Sequence, residues 1–124
     1  MKRLLIKFAL TTLLITSLPV VTYGADVRAL ANTVTQDDLQ MNCPSRFLEI
    51  HMEASTSEQA GMAIIKWFWM VNPEFLKRAA KSTSDPSAWG VYLGETFRRY
   101  CEQRPQVTVR TAVKQAIVFL ENER

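Results

Sequence analysis

The chain has 124 residues, 48% of them hydrophobic and 22% charged, which is one small globular domain with no room for a second. The formal charge of +3 at pH 7 overstates its basicity: Lys2, Arg3 and Lys7 open the chain, and without them Lys+Arg only balance the 12 Asp+Glu. A neutral remainder offers nucleic acid no basic patch, and one His with two Cys falls short of an ordinary zinc site.

The N-terminal segment comes first. Met1 to Lys7 is positive, Phe8 to Val21 is an apolar run with Pro19 near its end, and Thr22-Tyr23-Gly24 places small residues before Ala25. This is the order of a secretory signal peptide over residues 1–24. The run is shorter than the roughly 20 residues that span a bilayer, so cleavage is expected and no stable membrane insertion after it. Residues 25–124 then form a single exported helical domain. Basic residues ahead of the apolar run, with no acid before Asp26, fit bacterial export to the periplasm.

Residues 25–40 are weakly patterned, and Thr35 to Asp38 suits a capped turn in a loose segment. Asn42-Cys43-Pro44 reads as a helix start, because proline is favoured in the first helical turn. That helix carries Phe47, Leu48, Ile50 and His51 to about Glu53. Ser55-Thr56-Ser57 is a capping cluster, and a second helix begins at Glu58. Ala60, Ala63, Ile64, Trp67, Phe68 and Val71 recur along it at helical spacing. Asn72-Pro73 stops it and starts a third helix, with Phe75, Leu76, Ala79 and Ala80 inward to about Lys81. Ser82 to Pro86 is the clearest loop. The fourth helix aligns Trp89, Leu93, Thr96, Phe97, Tyr100 and Cys101, and its Gly90 and Gly94 suit close helix packing. Arg104-Pro105-Gln106 ends it. Thr108 caps the last helix, with Val109, Ala112, Val113, Ala116, Ile117 and Leu120 on one stripe. The short Val107-Thr108-Val109 alternation is outweighed by that stripe. The expected fold is all-α, a small bundle of four or five helices.

Cys43 and Cys101 are the only thiols. An even count in an oxidising compartment argues for one disulfide between them. Closing so long a loop contributes about 4 kcal/mol. Redox-active cysteines usually stand as CxxC, and these do not.

Catalytic chemistry is not expected. The chain has no Walker loop, GxGxxG, HExxH or GxSxG pattern. Glu49 and Glu53 share a helix face but read as solvated, as do Arg98, Arg99 and Arg104. His51 reads as a structural histidine, its functional alternative being a pH sensor. The serines sit in capping clusters with no general base nearby in sequence. Nothing assembles nucleophile, base and orienter, so the chain is read as a non-enzyme without metal or cofactor. The functional signal is Trp67-Phe68-Trp69-Met70-Val71. Trp67 and Trp69 stand about 200° apart on a helix, so both cannot face one core layer. Either the helix is buried on two sides, or one side is a contact surface for a second copy or a client protein.

An exported helical chain with one disulfide resembles the HdeA/HdeB family of periplasmic acid-stress chaperones. The local likeness lies in Met41-Asn42-Cys43 followed by Phe47, and in Tyr100-Cys101-Glu102-Gln103-Arg104-Pro105-Gln106. The aromatic cluster between them is similar in kind, and the resemblance extends over residues 40–115. Asn72 to Asp85 departs from it as a longer connection. The resemblance implies a homodimer at neutral pH that hides an apolar surface, and acid-loosened subunits that hold unfolding clients. With all carboxylates neutral the exported chain would carry about +14. A different class of small exported helical protein is the periplasmic immunity protein, which neutralises a secretion-system toxin through a protruding surface; Lys81 to Pro86 would suit that. A third is a helical subunit of a larger envelope complex.

The leader generates the first prediction. Intact mass of protein recovered from the periplasm begins at Ala25; a chain still carrying Met1 would overturn the cleavage.

Overall fold

The computed structural model describes residues 27–123. The leader and its cleavage site lie outside the described residues. Residues 27–29 are helical, and two short 3₁₀ turns follow, Ala31–Thr33 and Gln36–Gln40. Then come α1 (Cys43–Glu53), α2 (Ser57–Val71), α3 (Pro73–Ser82), α4 (Pro86–Gln103) and α5 (Val109–Asn122). The described chain is all-α, with a single one-residue antiparallel bridge between Asn42 and Thr108.

Each of α1 to α5 starts with a side-chain oxygen that holds a free N–H group of the first turn, as an unpaired helix end requires. Asn42 accepts from Ser45 N at 2.9 Å, Thr56 from Gln59 N at 3.2 Å and Asn72 from Phe75 N at 3.1 Å. Asp85 accepts from Ala88 N and Thr108 from Thr111 N, each at 3.2 Å. Pro44, Pro73 and Pro86 fall in the first turn of α1, α3 and α4, where a missing N–H costs nothing. The connection over Asn72 to Asp85 is therefore mostly helix, and the loop left between α3 and α4 is Thr83 to Asp85. The extended loop expected over Lys81 to Pro86 is shorter, because Lys81 and Ser82 end α3 and Pro86 opens α4.

The core is built around Phe97 of α4. Its ring centroid lies 5.7 Å from Trp67, 5.8 Å from Phe68 and 5.9 Å from Phe47. Phe75 of α3 joins at 6.4 Å from Phe68 and meets Trp89, its ring tilted, at 5.9 Å. The α5 stripe closes the bundle, with Val109, Ala112, Val113, Ala116, Ile117 and Leu120 all buried. On α3 only Phe75 and Ala79 are fully buried; Ala80 is exposed.

The disulfide joins Cys43 to Cys101, both fully buried, with Cα atoms 5.4 Å apart. Beside it Cys43 N donates to Val107 O at 2.7 Å, and Val109 N donates to Met41 O at 3.0 Å. The Asn42 amide nitrogen also donates to Pro105 O. The entry to α1 is thus fastened to the α4–α5 corner. The Val107 to Val109 alternation contributes this one bridge, not a strand.

The segment expected to be loose is packed. Leu30, Ala31, Val34 and Leu39 are buried against the bundle. Short 3₁₀ turns and extended residues give no 3.6-residue repeat, so its apolar side chains leave no periodic signal although tertiary contact buries them.

Phe97→Ala removes the ring that three other aromatic residues share. It lowers the unfolding free energy by about 4 kcal/mol in urea titration.

Candidate interaction surface

Helix α2 is apolar on two sides, and only one belongs to the core. Ala60, Ala63, Ile64, Trp67 and Phe68 are buried. Gly61, Ile65 and Trp69 stand above one another at four-residue spacing on the outer side, next to Met62. Trp69 is 45% exposed, and the Lys77 ammonium of α3 lies 5.7 Å from its ring centroid. Met70 and Val71 are half-buried against the core. The five-residue cluster is therefore divided: Trp67 and Phe68 are core, Met70 and Val71 are its edge, and Trp69 alone is on the surface.

The outer side of α2 forms one wall of a groove of about 570 Å³, with Gly90, Val91 and Gly94 of α4 opposite and Phe47 and His51 of α1 at one end. Val91 is 68% exposed. The rim carries Glu58, Glu95, Arg98 and His51. Sequence reasoning missed Gly61, Met62, Ile65 and Val91 as members of this face. The four-residue spacing from Gly61 to Ile65 to Trp69 was the available signal.

The three glycines are not there for packing inside the chain. A Cβ added to Gly61, Gly90 or Gly94 would meet nothing within 4 Å. This corrects the expectation that Gly90 and Gly94 bring two helices of one chain together: among the described residues nothing packs against them at the Cβ position. Each glycine in a helix interior costs about 1 kcal/mol relative to alanine. Their effect in the folded chain is to keep the groove shallow and its backbone accessible.

A polar network lies on the opposite flank of α2. Asp38 is only 4% exposed. It accepts from the Trp67 indole N–H at 3.4 Å, and Arg46 Nε lies 3.3 Å from its other oxygen. Arg46 also reaches Glu49 at 3.0 Å and Glu53 at 3.7 Å. Glu49 and Glu53 thus share one cation. Burial lowers the Arg46 pKa, but the hydrogen bond to Glu49 and the charges of Asp38 and Glu53 outweigh it, so the net shift is upward.

His51, Arg98 and Arg99 have structural partners. His51 Nδ1 is 3.1 Å from Phe47 O, and its ring lies against that of Phe47 at 4.4 Å. Arg98 lies between Glu95 at 2.7 Å and Glu102 at 3.0 Å, contacts that raise its pKa. Arg99 lies over the Phe119 ring at 5.7 Å. Among the described residues no three His, Cys, Asp or Glu side chains are grouped to hold a metal ion, and no helix is long and apolar enough to cross a membrane. Comparison with protein-family models, with curated proteins and with solved structures finds no match.

Because the groove is open at each glycine, Gly61→Ala, Gly90→Ala and Gly94→Ala each raise the stability of the isolated chain by about 0.5–1 kcal/mol in thermal unfolding.

Proposed function

We propose that this is a periplasmic acid-stress chaperone, folded and inactive near neutral pH, that binds unfolding proteins in acid through apolar surface. The observation that carries the reading is the second apolar side of α2, where Gly61, Met62 and Ile65 line an open groove and Trp69 is 45% exposed among the described residues. An apolar face of this kind on a small protein marks a contact surface. At neutral pH a homodimer covers it.

The charge arrangement supports acid as the trigger. A raised arginine pKa contributes stability that is complete below the unfolded value and lost only as pH rises through the folded one, far into the alkaline range. Arg46 itself therefore stays charged throughout acidification. Acid acts instead on the carboxylates of the chain as a class, which lose their charge below about pH 4. Across the exported chain the same change leaves only positive charge, and self-repulsion loosens the fold. The disulfide limits the expansion, so apolar surface is exposed within a compact, highly charged chain that keeps bound clients soluble.

Light scattering of an aggregating model client, with and without the exported protein, tests this at about pH 2–3 and at pH 7. Suppression of scattering is expected in acid alone, together with loss of near-ultraviolet circular dichroism and gain of dye binding. A protein that stays native at pH 2, or unfolds there without protecting the client, would overturn the reading and favour an immunity protein.

A further inference from the structure

We propose that the cavity where the ends of α3 and α5 meet the start of α4 binds a quaternary ammonium group of the kind that choline carries. The inference goes beyond the proposed function and does not depend on it. The cavity has a volume of about 370 Å³, near the small end of the roughly 300–1,000 Å³ of small-ligand sites.

The lining is aromatic. Trp89 and Tyr92 stand three residues apart on α4 and so share one face of that helix. Phe75, buried in the first turn of α3, adjoins them, its ring 5.9 Å from that of Trp89 and tilted to it by 41°. Aromatic faces attract cations. Elsewhere the chain supplies its own, Lys77 to the Trp69 ring and Arg99 to the Phe119 ring. Among the described residues that line this cavity there is no cation, and the one charged side chain is Glu123. Its neighbour Glu121 pairs with Arg78, whereas no described residue pairs with the Glu123 carboxylate.

The backbone adds the same sign. Helices α3 and α5 both finish at the cavity, with Thr83 and Glu123 as their C-terminal caps. A helix C-terminus carries about half a negative charge, and the last turn of α5 has no basic residue to offset it. Lys81, in the last turn of α3, is exposed and does not line the cavity. The start of α4 has the opposite sign, but there the Asp85 carboxylate already accepts from Ala88 N at 3.2 Å. The site thus calls for a cation, and its hydrogen-bonding groups select one without N–H donors. The Ser82 hydroxyl donates to Ala79 O and the Thr83 hydroxyl accepts from Asp85 N, each at 3.3 Å. An ammonium with N–H groups would leave donors unpaired against the rings, and that is costly. A trimethylammonium group has none to satisfy.

Isothermal titration calorimetry of the exported, disulfide-bonded protein with choline chloride at pH 7 is the measurement. A dissociation constant of about 1 mM or tighter is expected. The neutral isostere of choline, with a tert-butyl group in place of trimethylammonium, and ethanolamine, which keeps the charge but has N–H donors, should each bind about tenfold more weakly or worse. Tyr92→Leu and Glu123→Gln change exposed positions. Each should weaken choline binding about fivefold and leave the thermal midpoint of the unliganded protein unchanged. Trp69→Leu, on α2, should not alter binding. Sedimentation with phosphatidylcholine vesicles, against phosphatidylglycerol vesicles, identifies the source of the group. Binding to the first alone, competed by choline, assigns it to a lipid headgroup; binding of free choline without vesicle binding assigns it to a small solute. Three results would each overturn the site: an isostere that binds as tightly as choline, indifference to both Tyr92→Leu and Glu123→Gln, or no binding of choline up to about 10 mM with no choline-competed vesicle binding. Client protection in acid is a separate measurement, so the two readings fail separately.

Discussion

The Cys43–Cys101 bond and the hydrogen bonds beside it set the frame in which every helix packs. Cys43 opens α1 and Cys101 lies in the last turn of α4, so the bond fixes the ends of a segment that contains α1 to α4. Cys43 N to Val107 O and Val109 N to Met41 O then draw the start of α5 to the same point. The residues that enter α1 and those that enter α5 thereby share a corner. Phe97, one turn before Cys101, is held where Phe47, Trp67 and Phe68 can all reach its ring. A domain of about 100 residues has a stability of only about 5–15 kcal/mol. A buried covalent closure of this length is therefore a major contribution to its stability.

Within that frame α2 meets opposite demands. Its inner stripe needs large side chains to fill a core that α1, α4 and α5 enclose. Its outer stripe combines glycine, methionine, isoleucine and tryptophan, which among the described residues are only partly covered. Burial favours apolar residues on the first side, and water penalises them on the second. Retaining them there, beside glycines that weaken both walls of the groove, destabilises the lone chain. The stability of the subunit and its ability to make contacts are in tension on a single helix.

The buried carboxylate of Asp38 is the polar counterpart of that tension. It accepts from the Trp67 indole and forms an ion pair with Arg46, so a polar group lies against the aromatic core where an apolar one would be less demanding. Its 3₁₀ turn is thereby tied to both α1 and α2, which positions Leu39 in the core. The N-terminal segment is thus part of the fold through side-chain contacts more than through its own secondary structure.

By itself the sequence determined what is local. Asn42, Thr56, Asn72, Asp85 and Thr108 mark the helix starts because a cap acts within three residues, and the stripes on α4 and α5 declare their buried faces because a helix repeats every 3.6 residues. Two lone cysteines sufficed for the bridge. The opposed directions of Trp67 and Trp69 were legible from helix geometry, but which one is core was not. Only the tertiary structure decided that, because it depends on where α4 delivers Phe97. The same holds for the Asp38 carboxylate, whose partners Arg46 and Trp67 reach it from two different helices. It holds for the groove as well, since Gly61 and Gly94 face one space only after α2 and α4 are set side by side. Caps and periodicity are properties of a few consecutive residues, whereas burial, pairing and open surface are properties of helices brought together from distant parts of the chain.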